Sequence, residues 1–264
     1  MNIPNRISNL ALLGLLTGSL WAQQPTGREI MERYKAQDRT QDLSAEQTMT
    51  LTNSRGGERE RRLTYVTRTD ADGNRRMLVR FLAPADVART GFLSIERSDR
   101  DDDRWLYLPA LRKTRRIAGS DKTDKFVGSE FTYEDLDSEK LDLHEYTLIG
   151  SETVDGVDAW VIEAVATDPE RLEETGYSKR ELWISKVHYL VIQAKYYDGS
   201  GGYVKLFRAT DIRQIPNSEK WRAYHMTMED VRKGNKTTLQ VLEYEIDQGI
   251  PDRYFSERYL KRGG

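Results

Sequence analysis

The chain predicts a mainly β fold: one large, twisted antiparallel sheet with a few short helices. Three observations carry that reading. Apolar residues recur with period two from Leu43 onward, as in "EQTMTLTN", where Met49 and Leu51 share one face and Thr48 and Thr50 the other. Hairpin-turn signals recur at Arg55–Glu58, Asp70–Asn74, Asp155–Gly156, Asp198–Gly202 and Lys233–Lys236. No helix-length blocks alternate with the strands, which argues against a doubly wound α/β fold. The turn spacing predicts a meander of about ten strands.

The N-terminal stretch "MNIPNRISNLALLGLLTGSLWAQQ" carries Arg6 ahead of an apolar run from Leu10 to Leu20. That run is short for a membrane span. It reads as a secretory signal peptide, residues 1–22, cleaved after Ala22. Residues 23–264 then form one domain, exported as a soluble protein to a bacterial periplasm. Next, "PTGREIMERYKAQDR" spaces Ile30, Met31 and Tyr34 at helical intervals, with Thr26 and Glu29 as a capping box. A helix is expected from about Arg28 to Gln37, packed on something larger.

The strands begin at Leu43. Between them, Pro84–Thr90 reads as a helical turn and loop, and Ala118–Lys140 lacks two-fold alternation and is read as an excursion out of the sheet. "ATDPERLEETGYSK" reads as a polar loop. "PDRYFSERYLKR" reads as a closing helix with Pro251 at its first position. Helices this small cannot form a layer. They can cover the concave side of the sheet or plug its open end, and the apolar residues of Phe126–Leu136 then have the inner face to pack against.

Composition excludes several functions. Lys and Arg total 41 against 43 Asp and Glu, without the basic excess of a dedicated nucleic-acid binder. With no cysteine, disulfides, thiol catalysis, thiolate metal sites and lipid attachment at a lipobox are all excluded. His144, His188 and His225 lie far apart, and "HEYTL" has Leu148 where a zinc motif needs its second histidine. No nucleophile elbow, phosphate-binding loop or dinucleotide fingerprint is found. "RDDDR", Arg100–Arg104, lacks calcium-ligand spacing and reads as a solvated loop. The expectation is a non-enzyme with no cofactor and no metal. Arg112, Arg115 and Arg116, with Arg59, Arg61, Arg62, Arg75 and Arg76, could form a cationic rim; as solubilising charges on the outer face, each has a bland reading too.

"WLYLPALRKTRRIAGSDKTDKFVGSEFTYEDL", Trp105–Leu136, resembles the outer-membrane lipoprotein-sorting family, the carrier LolA and its relatives. The order W-x-Y-x-P, an R-R-I ending, a lysine-containing bridge and F-x-G-S-x-F-x-Y-E-D-L is similar to the branch encoded beside RND-type exporters. "ELWISKVHYLVIQAKYYDGSGGYVKLFRATDI" and "FSERYLKRG" are also similar to that family. The resemblance implies an unclosed half-barrel with helices in its mouth, sheltering acyl chains of a lipid or lipoprotein in transit across the periplasm, and no catalytic residues. It implies an inner-membrane RND-type exporter and an outer-membrane acceptor as partners. A monomer is expected.

On that reading Met49, Leu51, Leu63, Tyr65, Trp105 and Tyr107 line the apolar cavity. Phe126, Phe131, Tyr133 and Leu136 form a lid, with Gly119 and Gly128 permitting hinging. Arg112, Arg115 and Arg116 dock the exporter. The rival readings are an adaptor or scaffold of an export complex and, more remotely, a hydrolase.

Overall fold

The computed structural model describes residues 24–262, apart from the side chains at 169 and 170. The expected signal peptide lies outside the described residues. Among the described residues, thirteen strands form one sheet, open at both edges. They are β1 (Asp42–Thr52), β2 (Glu58–Thr69), β3 (Arg75–Ala83), β4 (Gly91–Ile95), β5 (Asp103–Leu108), β6 (Lys113–Arg116), β7 (His144–Val154), β8 (Val157–Ala166), β9 (Lys179–Ser185), β10 (Val191–Tyr197), β11 (Tyr203–Gln214), β12 (Trp221–Asp230) and β13 (Asn235–Ile246). Among the described residues, three α-helices accompany them: α1 (Gly27–Asp38), α2 (Pro169–Thr175) and α3 (Glu257–Arg262).

Across the sheet the order is β6-β5-β4-β3-β2-β1-β13-β12-β11-β10-β9-β8-β7, every pairing antiparallel. Two meander runs therefore meet at a central seam, where β1 pairs with β13. The five sequence-predicted turns all join neighbouring strands. At Asp155–Gly156 both central residues have positive φ, 51° and 82°, the type I′ geometry that suits the right-handed twist of a hairpin.

This order dictates the path of the excursion. The chain leaves β6 at one edge of the sheet and must re-enter at β7 on the other. Residues 117–143 therefore cross the concave mouth, through short 3₁₀ turns at Gly119–Asp121, Phe126–Gly128, Glu134–Leu136 and Leu141–Leu143. We call this crossing segment the roof.

Each side of the sheet has its own cover. On the concave side, the roof closes the β1–β6 half, with Phe126, Tyr133 and Ile117 packed among Met49, Leu63, Val79, Phe81, Phe92 and Leu106. Helix α1 closes the β7–β10 half through Ile30 and Met31, which meet Ile162, Leu182 and Ile184. Thr26 and Glu29 form the reciprocal capping box at the start of α1. A Cβ on Gly27 would sit 2.4 Å from the Tyr146 carbonyl oxygen, so only glycine lets α1 lie this close to β7. On the convex side, α3 and the turn before it pack Phe255 and Leu260 onto Leu78 and Leu93. Strand β3, covered on both faces, buries five residues in succession, Met77 to Phe81.

Two readings of the connecting segments need correction. "ATDPERLEETGYSK" contains helix α2 rather than loop alone. Pro251 caps a 3₁₀ turn at Asp252–Tyr254, and the closing helix starts later, at Glu257.

Candidate functional site

Between the roof, α1 and the sheet lies a cavity of about 460 Å³, within the roughly 300–1,000 Å³ common for small-ligand sites. Its floor comes from side chains of one phase on successive strands: Met49 on β1, Leu63 and Tyr65 on β2, Val79 on β3, Leu182 on β9, Ala194 on β10, Phe207 and Ala209 on β11, Met226 and Met228 on β12, and Leu239 on β13. The cross-strand registers explain this continuity, since Leu63 lies opposite Phe81, Met49 opposite Leu239, and Leu239 opposite Met226. Exposed Lys35, Arg39 and Gly73 also line it, so it opens between the end of α1 and the β2–β3 turn.

The walls are not apolar. Arg180 donates two hydrogen bonds to Glu139, at 2.9 and 2.8 Å, and the Tyr146 hydroxyl donates to the same carboxylate at 2.6 Å. Burial pushes the Glu139 carboxyl up, but Arg180 and His144 overcome that and hold it well below the usual carboxylate range. Lys205 donates to Asp135 at 2.9 Å and to the Tyr177 hydroxyl at 2.7 Å. Glu134 accepts from Arg171 of α2.

These pairs fasten the roof to β9, β11 and α2. Two more tie it elsewhere: Arg61 of β2 donates to the Val127 carbonyl at 2.6 Å, and the Glu130 amide donates to Thr237 of β13 at 2.9 Å. The most deeply buried of these cations is Arg104 of β5, only 2% exposed, which donates to Asp137 at 2.5 Å and to Asp102 at 2.7 Å. Lys140 donates to both oxygens of Asp102, at 2.9 and 2.8 Å. "RDDDR" is therefore only partly solvated: Asp102, Asp103 and Arg104 are buried, against the expectation of an exposed loop.

The residues singled out from sequence separate into three groups. Met49, Leu63 and Tyr65 line the cavity, with Phe126, Phe131 and Leu136 of the roof. Leu51 shares the concave phase but packs at the rim of the roof cluster, away from the cavity lining. Trp105 and Tyr107 point the other way, into the convex cluster under α3, because the concave phase of β5 belongs to Arg104, Leu106 and Leu108. The proposed lid also behaves as a plug. Phe126 and Tyr133 pack edge to face at 5.7 Å, and Phe126 meets Phe92 at 5.5 Å. Gly128 has a positive φ of 76°, whereas Gly119 needs none.

The arginines do not form one rim. Arg115 pairs with Asp121 and Asp124, at 3.0 and 3.4 Å, and Arg116 with Asp103 at 3.2 Å. Arg112 is exposed at a left-handed turn position. Arg61 is half-buried under the roof, and Arg76 is shared between Asp70 and Asp252. Arg75 lies inside the cavity, a placement that sequence reasoning missed. Its signal was phase: Arg75, Met77, Val79 and Phe81 share one side of β3.

Among the described residues no cluster of three His, Asp or Glu side chains could hold a metal, and no helix is long and apolar enough to cross a membrane.

An open antiparallel half-barrel, roofed on its concave side and enclosing a cavity, is a LolA-like fold. A family described as "uncharacterized protein" matches residues 73–262. An outer membrane lipoprotein-sorting protein domain from Vibrio parahaemolyticus is 32% identical, with a TM-score of 0.82 over 89% of this chain and 98% of that one. A DUF1329 family protein from Desulfovibrio piger is 30% identical, with a TM-score of 0.83 over 89% and 97%. The chain belongs to this outer-membrane lipoprotein-sorting family. A LolA superfamily protein from Nitrosomonas europaea, 18% identical over 89% of this chain and all of that one, shares the fold at a TM-score of 0.68. None of the curated proteins matches the chain.

Proposed function

We propose that the protein is a periplasmic carrier that shelters an acyl chain of a lipid or lipoprotein during transport toward the outer membrane. The observation that carries this reading is the apolar cavity floor, built from side chains of eight strands and covered by the roof, in a chain of the lipoprotein-sorting family. Each methylene moved from water to such a floor gains about 0.8 kcal/mol, so a modest length of chain gives stable uptake. Residues 1–22 serve as the signal peptide, and residues 23–264 form the carrier domain. The carrier binds without catalysing a reaction and uses no cofactor. Energy for loading or release comes from a membrane partner, an RND-type exporter on this reading, with an outer-membrane acceptor downstream.

The test is uptake of N-phenyl-1-naphthylamine, a neutral apolar dye that brightens on leaving water. The delipidated wild-type protein should enhance its fluorescence saturably. Ala209→Trp fills the floor without adding charge and should abolish most of that enhancement while leaving the circular dichroism spectrum unchanged. No saturable enhancement by the wild type, or full enhancement by the folded variant, would sink the carrier reading.

A further inference from the structure

The cavity contains a cation that the carrier reading does not use. Arg75 begins β3, two residues beyond Gly73 at the mouth, and its side chain runs into the cavity. Its Nη2 donates to the Tyr65 hydroxyl at 2.8 Å and to the Leu136 carbonyl at 3.1 Å, and lies 3.5 Å from Met77 Sδ. Nε and Nη1 have no hydrogen-bond partner among the described residues, and neither is sealed away from the cavity. Arg75 forms no ion pair with any described carboxylate.

That isolation is unusual here, because the surrounding acids are committed elsewhere. Asp137 is held by Arg104, Glu139 by Arg180, Glu134 by Arg171 and Asp135 by Lys205. Asp38 lies 3.5 Å from Arg222, and Glu96 accepts from the Arg75 amide and the Ser138 hydroxyl. Asp38, Glu96 and Asp137 still act on Arg75 from a distance, and with Tyr65 they keep it charged despite burial. Tyr34, close enough to feel the charge of Arg75, also lines the cavity, and its hydroxyl has no hydrogen-bond partner among the described residues. A buried cation is costly unless an anion and hydrogen bonds meet it, and a guanidinium fork fits the paired oxygens of a carboxylate or phosphate.

We propose that Arg75, with the Tyr34 and Tyr65 hydroxyls, forms a headgroup subsite at the mouth end of the cavity, so that the preferred ligand is a single-chain amphiphile with an anionic oxygen head. The inference rests on the carrier reading and adds the ligand's polarity and orientation. The head meets the three unused N–H groups of Arg75, and the tail runs inward over Leu63, Leu239, Met226 and Ala209.

The experiment is displacement of bound N-phenyl-1-naphthylamine by twelve-carbon competitors of equal chain length. Dodecanoate and dodecyl phosphate should displace the dye from the wild type at concentrations about tenfold below those needed for dodecan-1-ol, the factor a charge-assisted hydrogen bond carries. Inorganic phosphate alone should displace nothing, which separates an anionic lipid head from a free anion. Arg75→Met should erase the preference by weakening the anions far more than dodecan-1-ol, and Arg75→Lys should keep part of it. Equal potency of the alcohol and the anions on the wild type overturns the subsite, even if Arg75→Met cannot be purified folded. So does an undiminished preference in folded Arg75→Met, or displacement by inorganic phosphate. Failure of the dye itself to bind would instead count against the carrier.

Discussion

Arg104→Met tests whether the roof is held by charge. The substitution keeps an apolar stem of similar length and removes only the guanidinium. In the native protein that group sits between Asp102 and Asp137, at 2.7 and 2.5 Å, all three side chains being under 10% exposed. Asp102 retains Lys140 and the Arg97 amide, so it keeps its compensation. Asp137 has no second cation at hydrogen-bonding distance among the described residues.

Breaking a buried pair on one side typically costs about 3–5 kcal/mol, and we expect a loss in that range near neutral pH. Burial already pushes the Asp137 carboxyl above its usual value, with Arg104 pulling the other way. Without Arg104 its folded-state pKa rises further above the unfolded value. The folded variant then binds a proton more tightly than the unfolded one, and linkage makes its stability rise as pH falls through that raised value. The deficit against wild type should therefore shrink between neutral pH and about pH 5, above the ordinary carboxylate range. Urea unfolding followed by tryptophan fluorescence at both pH values measures this. Adding Asp137→Asn to Arg104→Met should restore stability by removing the stranded charge. A variant within about 1 kcal/mol of wild type at neutral pH would refute the reasoning, as would a double variant no more stable than the single one.

Phe126→Ala removes the ring at the centre of the roof cluster and should lower unfolding stability by about 3–5 kcal/mol, read by chemical denaturation. A cost below about 1 kcal/mol would mean the roof is not packed as a plug. Glu139→Gln tests the other anchor. The depressed carboxyl contributes stability that is present above the ordinary carboxylate range and lost as pH falls through its lowered value. The variant should thus be less stable than wild type at neutral pH, and the two should converge in acid unfolding below about pH 4. Replacing Arg115 and Arg116 by Glu should slow association with the periplasmic domain of an RND-type exporter at low salt, with the difference fading as salt rises. Equal on-rates in surface plasmon resonance, with both proteins folded, would remove those arginines as a docking site.

Much of the fold was legible because hairpin turns need particular residues. Asp155–Gly156 could hardly be read otherwise, and the alternation of β1 fixed its buried phase. The strand count fell short because β4 and β6 span only five and four residues, too few to display a period. The same shortness, with apolar covers on both faces of β3 to β5, hid which phase of β5 is concave. Trp105 and Tyr107 were accordingly assigned to the cavity when their aromatic rings serve the α3 interface. Arg75 was grouped with surface arginines by residue type, although its phase on β3 pointed inward. The ion pairs that hold the roof, such as Arg104–Asp137 and Lys205–Asp135, join residues 33 and 70 positions apart. No local pattern encodes such partners; they follow from the crossing path of the chain.

The pairing of β1 with β13 has a consequence for how the chain reaches this state. Each meander run is built from contacts between neighbours in sequence, which form early and at low entropic cost. The seam is different: Leu43 meets Ile246 across almost the whole domain. During synthesis β1 emerges near the beginning and its permanent neighbour near the end. Through that interval one long side of β1 keeps its amides and carbonyls unpaired, the kind of edge on which other chains add. The central strands of the finished sheet are thus its most exposed strands while the chain is incomplete, and a truncation that removes β13 uncovers the middle of the molecule rather than its end.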